Sequence, residues 1–94
     1  MNTIVVVIVM QGCPACHEYL PTVQQAAARH PRVQVHVIDA GSGDPNVKAL
    51  VERYNVNLTP TTLVLRRPSG FVKSEGALDP GQLESLMQLA ERYG

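Results

Sequence analysis

The 94-residue chain has no excess of charge of either sign, since eight Lys and Arg stand against eight Asp and Glu. Without clustered positive charge nothing neutralises a phosphate backbone, so the composition excludes an electrostatic nucleic-acid binder. It excludes an acidic tail and a polybasic membrane anchor as well. Cysteine is scarce: Cys13 and Cys16 are the only two, and two cysteines three apart cannot staple a small secreted fold. No apolar run reaches the ~20 residues that a membrane-spanning helix needs. The run at residues 4–10 could be taken for the core of a secretory leader, but the first Lys or Arg is Arg29 and no small-residue cleavage site follows. A cytoplasmic protein with no membrane or nucleic-acid partner is therefore expected. Internal repeats, low-complexity tracts and linkers are also missing, and the length accommodates one domain, residues 1–94. What remains is an ordinary globular composition, 45% apolar, sufficient for one core.

The pattern along the chain alternates strands and helices. β-branched residues fill positions 4–9, and an unbroken apolar strand over Thr3–Val9 reads as buried on both faces. A helix is expected over Pro14–Arg29, with Tyr19, Leu20, Val23, Ala26 and Ala27 at helical spacing; Pro21 should kink it and His30-Pro31 end it. Residues 32–39 alternate, with Val33, Val35 and Val37 apolar, which suits a strand near a sheet edge. Asp44 and Pro45 open a second helix that carries Val47, Leu50, Val51 and Tyr54 and stops near Asn55. Leu58-Thr59-Pro60 is a break, Thr61–Arg66 a third strand, Ser69-Gly70 a hairpin turn and residues 71–74 a fourth strand. Asp79 and Gln82 form a capping box before a last helix that carries Leu83, Leu86, Met87 and Ala90 and ends near Gly94. The order is β-α-β-α-β-β-α. The two helical crossovers call for parallel pairing of the early strands, and the short turn calls for an antiparallel pair. An α/β domain follows, a mixed four-stranded sheet covered by three helices.

The chemistry lies where the first strand runs into Cys13-Pro14-Ala15-Cys16. Cys13 directly precedes a helix, where free N–H groups and the positive dipole end converge and hold a thiolate below its ordinary pKa of ~8.5. Cys16 lies about one turn on and can reach Cys13 to form a disulfide. In this reading Cys13 is the exposed nucleophile and Cys16 the resolving thiol. Other uses of the same letters stay open. The pair could be purely structural. Cys13-Pro14-Ala15-Cys16-His17 also fits the C-x-x-C-H haem attachment pattern, with His17 and either Met87 or Met10 as axial ligands. Covalent haem normally implies export, and a buried strand entering the motif leaves little room for a porphyrin. Zinc would need two ligands beyond the cysteines, drawn from His17, His30 and His36. Otherwise His17 faces solvent near a thiol it could tune, His30 sits at a helix end and His36 on an exposed strand face.

Together these features resemble the thioredoxin superfamily over essentially the whole chain. Besides the C-x-x-C pair, Pro21 falls five residues after the second cysteine, and Val37-Ile38-Asp39 is similar to the family's second conserved strand with its terminal acid. Val56-Asn57-Leu58-Thr59-Pro60-Thr61 resembles the segment carrying the cis-proline, and the stretch from Gly76 to Leu83 resembles the entry to the last helix. The resemblance implies a minimal thioredoxin-like fold and thiol–disulfide oxidoreductase activity on protein substrates, without a cofactor beyond the Cys13–Cys16 disulfide, and the expected cytoplasmic location favours the reducing direction. It implies a reductase or glutathione as electron donor and a monomer, free or within a larger assembly. It places Thr59 and a cis Pro60 beside the cysteines, with Gly12, Pro14, Gly76 and Ala77 completing a substrate groove. The departures matter too. The usual N-terminal strand and helix are missing, Gly12 replaces the tryptophan before the first cysteine, and the buried acid and its lysine partner fall on Val7 and Val35. A water, Asp39 or His17 would then have to accept the proton of Cys16. Relaxed catalytic demands of this kind also suit an alternative, a thioredoxin-like binding or assembly module with little redox turnover. With no net charge to steer a partner, recognition is expected to rest on the neutral groove around Cys13.

Overall fold

The strand that enters the cysteine motif lies inside the sheet. The computed structural model describes residues 3–68 and 70–93, so Ser69 of the expected hairpin turn and Gly94 at the expected helix end lie outside the described residues. Strand β1 (Thr3–Val9) pairs in parallel with β2 (Gln34–Asp39) on one side and antiparallel with β3 (Thr61–Arg66) on the other. β3 pairs antiparallel with β4 (Phe71–Glu75), giving the order β2-β1-β3-β4. Three helices, α1 (Pro14–Arg29), α2 (Pro45–Arg53) and α3 (Pro80–Tyr93), complete the expected β-α-β-α-β-β-α chain. Among the described residues no helix is long and apolar enough to cross a membrane.

Alternation along β1 sends its apolar side chains to two cores. Val5 and Val7 pack with Val64 against Tyr19, Val23 and Ala26 of α1 and Leu83, Met87 and Ala90 of α3. Val6 and Ile8 pack with Leu63 on the other face, against Leu50 and Val51 of α2. The four consecutive residues from Val5 to Ile8 are therefore all buried, as an unbroken β-branched run predicts.

The helix starts follow local chemistry. Asp44 Oδ1 accepts the Asn46 N–H at 2.8 Å at the head of α2. At α3, Gln82 N–H donates to Asp79 Oδ1 at 2.8 Å while Asp79 N–H donates to Gln82 Oε1 at 3.0 Å, a complete capping box. α1 runs unbroken through Pro21, whose missing donor sits on an exposed position.

Two expectations are corrected. β2 begins at Gln34 rather than at residue 32, because the Val33 N–H is taken by the His30 carbonyl at 3.0 Å in the turn that closes α1. Only the first crossover joins parallel strands. After α2, residues 54–60 carry the chain back along the sheet, so β3 starts level with Ile8 near the end of β1 and runs the opposite way.

The end of α1 is joined to α3 on the first face. Both ring nitrogens of the buried His30 meet carboxylates of α3, Nε2 at 2.6 Å from Glu84 Oε2 and Nδ1 against Glu91. Arg29 Nε also donates to Glu84 Oε1 at 3.2 Å. The hydrogen bond from His30, helped by Arg29 and opposed by burial, holds the Glu84 carboxyl below its ordinary value of 4.5. A carboxylate depressed on folding stabilises the native state above its unfolded pKa and loses that contribution as pH falls through the native value. Glu84→Gln should therefore lower the melting temperature at neutral pH, and its deficit against the parent should shrink in melts below about pH 4.5. An equal deficit at neutral and acid pH would exclude the charge as its source.

Deeper in the same core the Tyr19 and Thr62 hydroxyls share a 2.7 Å hydrogen bond. Burial raises the Tyr19 phenol above its usual 10.0, against smaller opposing effects from Thr62 and the Leu78 backbone, so the pair is neutral. Tyr19→Phe should cost about 1–3 kcal/mol in a denaturant titration, because it strands the Thr62 hydroxyl in the core. Tyr19→Phe with Thr62→Val should recover part of that loss, since neither polar group then remains. A double variant no more stable than Tyr19→Phe would show that Thr62 is not the stranded group.

Candidate active site

β1 ends at Val9 and the chain turns at Gly12, whose φ of +76° is a backbone state that L side chains rarely adopt. That turn delivers Cys13 in an extended conformation to the N-cap of α1. Pro14 follows at the first helical position, where its missing N–H removes a donor that had no partner. One of the remaining free donors, the Cys16 N–H, points at Cys13 Sγ at 3.2 Å. Cysteine here occupies the position that Ser, Thr or Asp holds at ordinary helix starts.

Cys13 and Cys16 are joined as a disulfide with Cα atoms 5.2 Å apart. The two residues are not equivalent. Cys13 is half-buried at the lip of the site, whereas Cys16 is 2% exposed on the inner face of α1. One turn further along that face lies Tyr19, and across the sheet from Thr62 lies Val7, fully buried. The core that α1 packs on thus contains Val7 and a neutral hydroxyl pair.

The opposite wall comes from the loop before β3. Thr59 Oγ1 lies 3.6 Å and Thr59 O 3.7 Å from Cys13 Sγ. The Thr59–Pro60 peptide is cis, and Pro60 is buried. Thr61 Oγ1 donates to the Leu58 carbonyl at 2.6 Å, and the Gly76 N–H donates to the Pro60 carbonyl at 2.8 Å. The structure therefore links Cys13, Cys16, Thr59, Pro60 and Gly76 into one contact set. Gly12, Pro14 and Ala77 are exposed around it.

The other sequence candidates fall elsewhere. His17 is exposed and, among the described residues, makes no side-chain hydrogen bond to either sulfur. Asp39 Oδ1 accepts the Gly41 N–H at 2.8 Å and serves the loop after β2. His36 is exposed on β2, His30 is taken by Glu84 and Glu91, and Met87 lies in the core at 1% exposure. The exposure of two large apolar side chains was not anticipated. Met10 and Leu58 are 45% and 43% exposed, and they directly precede the Cys13 turn and Thr59. The available signal was position: each is a large apolar residue just outside a regular element.

Comparison with known proteins agrees with this geometry. No family model and no curated protein matches the chain. Solved thioredoxin structures do. The germline-specific thioredoxin Deadhead from Drosophila melanogaster is similar at 28% identity with a TM-score of 0.80, over 94% of this chain and 80% of that one. Thioredoxin f from spinach chloroplast is similar at 21% identity and 0.79, over 96% and 77%. Oxidised thioredoxin from Plasmodium falciparum is similar at 17% and 0.76, over 99% and 83%. The chain is thus a protein of thioredoxin-like fold that carries a C-x-x-C disulfide, Cys13–Cys16, at the start of its first helix.

Proposed function

We propose that this protein reduces disulfides of protein substrates by thiol–disulfide exchange, with Cys13 attacking and Cys16 resolving. The thioredoxin-like fold and the disulfide support an oxidoreductase at the level of the family. The observation that carries the assignment of roles is the asymmetry of the pair. Cys13 Sγ sits at the helix N-cap facing the groove, and Cys16 is buried behind it.

In the reduced protein the first-turn N–H groups and the helix dipole stabilise a Cys13 thiolate. This thiolate attacks one sulfur of the substrate disulfide. A Cys13–substrate bond forms, the substrate S–S bond breaks, and the other substrate sulfur leaves as a thiol after taking a proton. Cys16 then loses its proton and attacks Cys13 Sγ, which releases the second substrate thiol and forms the Cys13–Cys16 bond. Two electrons pass to the substrate. A reductase or glutathione returns them, in keeping with a reducing cytoplasm. An extended substrate segment would lie along the Thr59 backbone over Gly76 and Ala77. Among the described residues no carboxylate is buried, and we assign the proton of Cys16 to water.

That same lack of a buried acid favours a second reading, a binding module that holds a partner loop in the groove with little turnover. Substitution separates the two. Cys13→Ser should reduce disulfide reduction to the uncatalysed level, and Cys16→Ser should accumulate a mixed disulfide with substrate on non-reducing gels. Retained reductase activity in Cys13→Ser would overturn the first reading. A Cys13→Ser, Cys16→Ser protein that still captures its partner would support the second.

A further inference from the structure

Zero net charge does not mean an even spread of charge over the surface. Three of the eight cationic residues, Arg53, Arg66 and Arg67, line one open cleft of about 660 Å³, and none of the eight carboxylates lines it.

The cleft follows from element lengths. β1 has seven residues and spans about 23 Å at strand rise. On the first face α1 and α3, of 16 and 14 residues, span about 24 and 21 Å and cover it. On the second face α2 has nine residues and spans about 14 Å. Below its end the sheet residues Ile4 and Leu65 meet the cleft instead of a helix. The end of α2, the end of β3 and the start of β4 place the three arginines and Phe71 around this gap.

Three features of the lining point to a ligand. Among the described residues the ion pairs are made by Arg29 and His30, and none by these three arginines. The Arg66 guanidinium lies 4.8 Å over the Tyr93 ring, which leaves Arg53 and Arg67 for a ligand. The wall is aromatic: the Arg53 guanidinium lies 5.6 Å over the Tyr54 ring, which meets Phe71 edge-on with centroids 5.0 Å apart. Phe71 is nevertheless 54% exposed, a flat apolar face left in water beside guanidinium groups. The carbonyls that end α2 would repel an anion, but Lys73 Nζ covers those of Tyr54 and Asn55 at 3.3 and 3.1 Å.

We propose that this cleft binds an aromatic phosphate of nucleoside-monophosphate type. Arg53 and Arg67 receive the phosphate, since the guanidinium fork matches its oxygens, while the Arg66 guanidinium lies over the Tyr93 ring of α3. The ring stacks on the exposed face of Phe71. The volume is that of a small-molecule site. The cleft adjoins Ile4 at the start of β1, while Cys13 follows the far end of that strand. The proposal does not rest on the redox reading.

Calorimetric titration of the intact chain with AMP, adenosine and inorganic phosphate at low salt tests it. AMP should bind saturably, about tenfold or more tightly than either fragment, and weaken as salt is raised. Arg53→Ala with Arg67→Ala should lower AMP affinity about tenfold or more, leaving the melting temperature and disulfide exchange unchanged. Arg67→Glu, a charge reversal at an exposed position, gives the same readout should the double variant fold poorly. Absent saturation with AMP, or AMP affinity unchanged by these substitutions, would overturn the proposal. Equal affinity for phosphate and AMP would overturn the stacking on Phe71.

Discussion

Everything at the site depends on the double pairing of β1. The strand is hydrogen-bonded to β2 and β3 along its length and covered on both faces. Its end is therefore held by the whole core, and Gly12 has only to turn the chain for Cys13 to reach the head of α1. The other wall hangs from the same strand, because β3 begins opposite Ile8 and carries Thr59 and Pro60 immediately before it. Two segments 46 residues apart in sequence meet at Cys13 Sγ for this reason. A reactive sulfur needs neighbours that do not move, and these are anchored to neighbouring strands.

The pair is polarised by the same construction. The N-cap position gives Cys13 an N–H donor, and the helix face turns Cys16 inward. The core that α1 packs on contains Val7 and a neutral Tyr19–Thr62 hydrogen bond. Buried hydroxyls that satisfy each other cost little and fix the packing of α1 on β3. The end of α1 is fixed by His30 between two carboxylates of α3. The helix that presents the cysteines is thus held at three levels, by the cap, the hydroxyl pair and the charged cluster.

Much of this was legible in the sequence, because local chemistry decides it. The β-branched run, the Asp44 and Asp79 caps and Pro14 before a helical period specify their elements without reference to the rest of the chain. The cysteine pair was legible for the same reason, as was the meeting with Thr59 and Pro60 once the resemblance to thioredoxins had been seen. What escaped depends on distant neighbours. The direction of β3 is set by the return of residues 54–60, which no periodicity announces. Tyr19 reads as one more apolar residue of a helix face until Thr62 is brought against its hydroxyl. Net charge, a sum over the chain, is blind to Arg53 and Arg67 placed beside Phe71 where α2 falls short of the sheet.

The central claim is that Cys13 and Cys16 form a reversible two-electron couple. Thiol alkylation read by intact mass, after equilibration in glutathione buffers of graded ratio, tests it directly. The account predicts that both cysteines pass from alkylated to protected together, in one reversible transition, as the buffer becomes oxidising. Stepwise modification, with stable glutathione adducts on separate cysteines, or a disulfide that persists in every buffer, would contradict it.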